Sequence, residues 1–250
     1  LKLCDKIEVN LNKGIKSWGE RALNSLDCRF EFKMEAIADK GFFIKKKKYI
    51  LHVLNDEGFD IKNEAKRWKY KGVSLVSASM PEQVKPLVEK VVQKMISTGD
   101  KSVSDSIYFD TFEEFKKLDV GQIALIKSIN KYKEYAEKCN GWNMAKGMLA
   151  HYRGAYYYNK LIKELGIDHI YDEIKQSDKI KYVYLKTNNK YAIDAISFPE
   201  KYPPEFEKIF TIDVNRMFDK CIKDVVNQFY SALEWDLMAP NKQPKVNIMS

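Results

Sequence analysis

The stretch Phe42–Leu51 reads FFIKKKKYIL, and its reading decides what kind of sheet the first part of the chain builds. Apolar and aromatic residues on both sides mark extended, partly buried chain, yet four consecutive lysines, Lys45 to Lys48, stand inside it. Lysine on a strand can be a guard that blocks pairing with another chain's edge. Side chains of a strand alternate between its two faces. Taken as one strand, Lys45, Lys47 and Tyr49 share a face with Phe43 and Leu51, and Lys46 and Lys48 share the other with Ile44 and Ile50. Charge on both faces exceeds what a solvated side needs, so the sharper expectation is that these lysines face a polyanion. An ammonium group can neutralise a phosphate or reach the minor-groove acceptors that all base pairs share, and the Tyr49 hydroxyl adds a donor. Such a set holds a duplex without reading its sequence.

Composition agrees with that direction without selecting it. The chain has 250 residues, a formal net charge of +8 and 45% hydrophobic residues, enough for a sizeable core and an anionic partner. Cys4, Cys28, Cys139 and Cys221 are far apart with no CxxC pair, which predicts free thiols in a reducing compartment and no zinc site. His52, His151 and His169 have no ligand spacing and read as surface or packing residues. No signal peptide and no long apolar run stand out, so the expectation is a soluble, cytoplasmic chain without a membrane role. The chain opens at Leu1 rather than a methionine, as a cleaved, truncated or split product would.

Working outward, about Asp5 to Asn24 sets Ile7, Val9, Leu11, Ile15, Trp18 and Leu23 among charges and predicts a helix. Arg29 to Ile37 alternates, ADKG (38–41) predicts a turn, Phe42 to Leu54 runs extended, and NDEG (55–58) turns again, an antiparallel pair or meander. A third short strand is expected near Gly72 to Val76. Then the character changes. Ser79 or Met80 is a cap position with Pro81 in the first turn, and Val84, Leu87, Val88, Val91, Val92 and Met95 recur at helical spacing through Ile96. A second helix is predicted over Ser104 to Lys117, extended chain over GQIALIKSI (121–129), and a long helix over Asn143 to Leu165. Two short strands flank an Asn188–Asn189 turn, and a last helix is capped by Thr211 or Asp213. The fold class is α+β: residues 1–77 form a small antiparallel sheet with a helix, and 78–250 are mainly helical with short strands.

The order MEAIADKGFFIKKKKYIL (34–51), NDEG (55–58), KGVSLVSASMP (71–81) and then a helix resembles the end of the palm and the start of the thumb of B-family DNA polymerases, of the kind that replicate T-even-type phages. The family pattern is an E-A-I stretch, a K-K-x-Y strand that grips the primer, and a glycine-to-serine-proline segment opening the thumb. Here these are Glu35-Ala36-Ile37, Lys46-Lys47-Lys48-Tyr49, and Gly72 through Ser77, Ser79 and Pro81. GWNMAKGMLAHYRGAYYYN (141–159) resembles a later thumb helix more loosely. The resemblance implies that Lys47 and Tyr49 contact the primer near its 3′ end, that Lys46 meets backbone phosphate, and that Glu35 lies near the polymerase metal site. Ser77 and Ser79 suit a phosphate at a helix N-terminus, or simple capping. Lys146 and Arg153 are candidates for duplex phosphates on one side of a helix.

The resemblance also implies what this chain lacks. The two Mg2+ ions of polymerisation need paired aspartates from D-x-x-S-L-Y-P-S and Y-x-D-T-D-S segments, and neither occurs here. VSDSIYFDTFEEF (103–115) follows Lys47 and Tyr49, the wrong order, and reads as a helix with acidic solvent positions. The implied arrangement is a palm-thumb portion that grips primer–template DNA, inactive alone, with a partner chain carrying exonuclease, fingers and the catalytic palm in the infected host's cytoplasm. Docking on a sliding clamp is left open, since the chain stops at VNIMS near where a clamp peptide would begin. The alternative class is a non-enzymatic, sequence-independent duplex-binding module, and a third is a basic α+β protein with no nucleic-acid role.

Overall fold

The computed structural model describes residues 2–24, 27–142 and 147–237. The chain is α+β with small antiparallel sheets and divides into two compact units, Leu1–Gly72 and Val73–Ser250. The division falls at Gly72/Val73, where the sequence reading set the boundary at 77/78.

The first unit begins with α1 (Lys2–Ala22), whose one buried residue is Gly19. The alternating segment after it is not a strand. The Asn12 side chain accepts the Phe32 N–H (2.7 Å) and donates to the Phe32 carbonyl (2.9 Å), and the Glu8 carboxylate accepts the Met34 N–H (2.8 Å). These backbone groups are satisfied by helix side chains instead of a ladder, so pairing starts only at β1 (Ala36–Lys45). β1 runs straight through ADKG, which was expected to turn. Gly41 there faces Leu51, and a Cβ on it would come within 3.0 Å of Leu51 Cδ2 and 3.1 Å of Phe43 Cε2. The glycine makes room for side chains on the sheet rather than bending the chain. The turn lies instead at Lys46–Lys47, leading into β2 (Lys48–Asp56), so the predicted single lysine strand is a hairpin with Lys45 opposite Lys48.

β2 is the central strand. Glu57 and Gly58, both at positive φ (49° and 91°), form the expected turn into β3 (Phe59–Asp60). β4 (Trp68–Lys71) pairs with β2, Tyr49 opposite Lys71. The third strand therefore precedes the predicted Gly72–Val76, because Gly72 enters the left-handed region (φ 64°) and Ser74–Val76 forms a 3-10 turn.

The second unit opens later into its helix than expected. The chain turns at Pro81–Val84, and α2 (Lys85–Thr98) follows, with Pro86 in its first turn where a missing N–H costs no bond. α3 (Lys101–Phe115), predicted over 104–117, is capped by Asp100, which accepts the N–H groups of Ser102 and Val103. GQIALIKSI splits into a helical turn, α4 (Val120–Ile123), and β5 (Leu125–Ser128). After α5 (Tyr132–Ala136) comes α6 (Ala150–Glu164); the helix predicted from Asn143 begins at Ala150, and 143–146 lie outside the described residues. β6 (Lys179–Tyr184) pairs antiparallel with both β5 and β7 (Ala195–Phe198). The β6–β7 connection is a loop organised by Asn189, which donates to the Lys186 and Ile193 carbonyls, not a tight Asn-Asn turn. α7 (Pro204–Glu207), α8 (Val214–Phe218), a π turn (Asp219–Lys223) and α9 (Asp224–Ala232) close the unit; of the two predicted caps, Asp213 caps α8.

Its core is continuous. Val88, Val91 and Val92 of α2 are fully buried, and Phe218 packs on Tyr108, Phe112 and Phe115 at 5.5, 4.9 and 5.5 Å between ring centroids. α6 rides on β7 at Gly154, where a Cβ would lie 2.6 Å from the Ser197 nitrogen. Among the described residues no helix is long and apolar enough to cross a membrane.

Two predictions follow from these environments. A Cβ at Gly72 would overlap the Lys47 carbonyl oxygen, whereas one at Gly58 meets nothing within 4 Å. Gly72→Ala therefore lowers unfolding stability by about 2–3 kcal/mol and Gly58→Ala by about 1 kcal/mol, read from urea midpoints. In the second unit, burial first and Lys127 second push His151 down from 6.5 to about 4. Stability is full above pH 6.5 and falls as pH drops from 6.5 toward 4, where the unfolded chain takes up a proton that the fold refuses. An NMR titration of His151 with its midpoint near 4 checks this.

Candidate nucleic-acid interface

The lysine turn holds one of the first unit's non-glycine residues in the left-handed region, with Asn24 and Glu57. Lys47 sits at φ 65°, a conformation that costs a non-glycine residue roughly 1–2 kcal/mol. Lys45 and Lys48 are direct cross-strand partners, an arrangement in which like charges repel. Among the described residues none of Lys45 to Lys48 has an ion-pair partner. Strain and repulsion together are held in place by the packing of Gly72 against the Lys47 carbonyl. An anion bound at the turn would relieve the repulsion.

Beside the turn the sheet borders a cleft. Phe43, Tyr49 and Lys71 are consecutive cross-strand partners on β1, β2 and β4, and Leu51 and Lys69 form the next row. Tyr49, Leu51, Lys69, Tyr70 and Lys71, with Glu35 and Ala36, line a cleft of about 390 Å³. The Tyr49 ring lies 5.5 Å from that of Phe43, and the Lys71 ammonium is 5.8 Å from its centroid. Lys69 is tied to Asp56 at 2.5 Å, so Lys71 is the cleft's available cation. Lys69 and Lys71 were missed in the sequence because the strand was placed at Gly72–Val76; the signal that could have found them is the alternating WKYK (68–71) before the glycine.

Of the predicted site residues, the structure brings Tyr49 and Glu35 to this cleft and Lys46 and Lys47 to the adjoining turn. The face-sharing derived from one continuous strand holds for Phe43, Tyr49 and Leu51 but not for Lys46 and Lys47, which occupy the turn, nor for Lys45, which the bulge after Phe43 sets opposite Lys48 on the other face. Ser77 and Ser79 are in the second unit and bond each other (Oγ–Oγ 2.8 Å). They do not stand at a helix N-terminus, since α2 starts at Lys85, so neither the capping nor the helix-end phosphate reading applies. Arg153 is bound inward: Nε and Nη2 meet the Asp194 carboxylate at 3.1 and 2.7 Å, and Nη1 donates to the Met148 carbonyl. That guanidinium is a structural tie between α6 and the β6–β7 loop rather than a phosphate ligand. Lys146 and the C-terminal VNIMS lie outside the described residues.

Two further groupings lie in the first unit. His52 is buried, its Nδ1 2.5 Å from Asp39 and its Nε2 2.8 Å from Glu64, with Trp68 against the ring at 4.9 Å. It ties β1, β2 and the 3-10 turn at Glu64–Lys66 together, the packing alternative of the surface or packing role expected of it. A second cleft of about 610 Å³ is lined by Asp5, Glu8, Glu35 and Glu57 with Lys33. Among the described residues no three His, Cys, Asp or Glu side chains come together as ligands for a metal ion.

α1 presents the remaining unusual surface. Ile7, Leu11, Trp18 and Phe32 are large, exposed and line one apolar groove of about 540 Å³ with Ile15 and Gly14. The helix uses polar side chains to hold its own unit and leaves its apolar stripe open. No protein-family model matches the chain, and no curated protein matches it.

The His52 hydrogen bond, more than any other group, holds Asp39 below its ordinary 3.8. The stability this contributes is present above the usual carboxylate range and is lost as pH falls through Asp39's lowered value. Asp39→Asn is accordingly less stable than wild type at pH 7, and the gap closes in strong acid, measured by urea titration at both pH values.

Proposed function

We propose that this chain is the palm-to-thumb portion of a phage-type DNA-directed DNA polymerase that grips primer–template duplex through Lys46, Lys47 and Tyr49, while another polypeptide or segment supplies the catalytic aspartates. The observation that carries the proposal is the strained, unpaired lysine turn beside a cleft walled by Tyr49 and Lys71. Ammonium groups there neutralise phosphates, and the Tyr49 hydroxyl can donate in the minor groove, contacts that position DNA without reading it. The Mg2+ ions of such a reaction would be held mainly by carboxylates of the partner, as the family pattern implies. Glu35, exposed in both clefts, is the residue of this chain that lies nearest that role in the family pattern.

The open face of α1 favours this reading over a free-standing duplex binder. A monomer that leaves Ile7, Leu11, Trp18 and Phe32 exposed forgoes several kcal/mol of burial, at roughly 25 cal/mol per Å². A partner carrying exonuclease, fingers and the catalytic palm would cover that stripe in an obligate-size contact of about 2,000 Å² or more.

Primer–template binding followed at rising salt tests the grip. Affinity falls steeply with salt, and the combined change of Lys46, Lys47 and Tyr49 to alanine weakens binding about 100-fold or more, by loss of two phosphate contacts and a donor. Unchanged binding in that variant would remove the basis of the proposal. Nucleotide incorporation requires the partner; extension by this chain alone would show that the metal ligands are here after all.

A further inference from the structure

The geometry points to a second contact on the same surface: the Phe43 ring stacks on an unpaired base at a strand end while Lys71 holds the neighbouring phosphate. This rests on reading the cleft as a nucleic-acid surface and adds the form of nucleic acid that it prefers. Phe43 lies within a paired strand yet is 70% exposed. The bulge between Phe43 and Lys45 shifts the register just beyond it. Gly41 on one side and Tyr49 on the other fix the ring's position without covering it. Lys71 is two strands away along the same row, about 10 Å at ordinary strand spacing, a distance that one nucleotide and its phosphate can span.

The occupant follows from charge. On the ring's side of the sheet stands Lys71, with Lys46 and Lys47 at the adjoining turn, opposed by Glu35; Asp56 is already paired with Lys69. An apolar protein partner would strip water from these ammonium groups and leave them facing one another. A nucleic-acid strand satisfies both features, with its phosphates on the lysines and a base face on the ring. Within a duplex the base faces are covered by their neighbours. A matched terminal pair offers only its outer face, held in line with the helix, whereas a frayed, mismatched or single-stranded base swings out to meet the Phe43 ring.

Fluorescence anisotropy of the full chain tests this on three labelled oligonucleotides: a blunt duplex, a recessed duplex with a matched last pair, and the same duplex with that pair mismatched. Wild type binds the mismatched end about ten-fold more tightly than the matched one, the size of one base–aromatic stack. Phe43→Ala abolishes that preference and leaves blunt-duplex affinity within about two-fold, while Phe43→Tyr keeps it. Lys71→Ala weakens all three and lowers the salt slope by about 1. Phe43→Leu separates stacking from packing: a preference as low as in Phe43→Ala supports the stack, and a wild-type preference overturns it. Tight wild-type binding with no preference for the mismatched end overturns this inference and leaves the duplex grip standing. Wild-type failure on all three overturns both.

Discussion

The carbonyl of Lys47 lies against the backbone of Gly72, and most of what is distinctive in the first unit depends on that approach. It fixes the end of β4 on the tip of the β1–β2 hairpin. It requires a residue without a Cβ at position 72, and it braces Lys47 in a left-handed conformation. Without such a brace, a turn made of adjacent lysines would relax toward geometries that separate its charges. With it, the charges stay clustered next to an aromatic cleft.

The two units are built on different terms. The second buries a continuous core in which Phe218, Tyr108 and the valines of α2 are closed from water. The first gathers its strands around Ile50, Val53 and the His52 bridge, while α1 keeps its apolar stripe open. A free-standing domain of this size seldom leaves so many large apolar side chains on one helix exposed.

Much of this was legible in the amino-acid sequence, and the failures have physical causes. The helical periods of α1, α2 and α3 and the NDEG turn were visible because spacing and turn chemistry are local. The position of the lysine turn was not. Glycine after aspartate and lysine is a strong turn signal, but Gly41 was needed for close packing under Phe43 and Leu51, and the chain turned at two lysines that no local rule favours. Ser77 and Ser79 looked like caps because Pro81 follows, yet the proline began a turn and the helix waited until Lys85. Arg153 looked solvent-facing, since nothing in the sequence ties it to Asp194, 41 residues away. The cleft itself joins three strands, and no pattern within any one of them announces it.

The polar tethers of α1 carry a consequence for encounter kinetics. Asn12 and Glu8 moor the helix to the backbone at Phe32 and Met34, so its orientation is set before anything touches the apolar stripe. A surface prepared in this way forfeits little conformational freedom on docking, a saving of about 0.5–1.5 kcal/mol for each side chain already immobilised. If the stripe is the docking face proposed above, contact there forms by rigid fit rather than by folding upon arrival, and disturbing either tether slows assembly while leaving every apolar contact available.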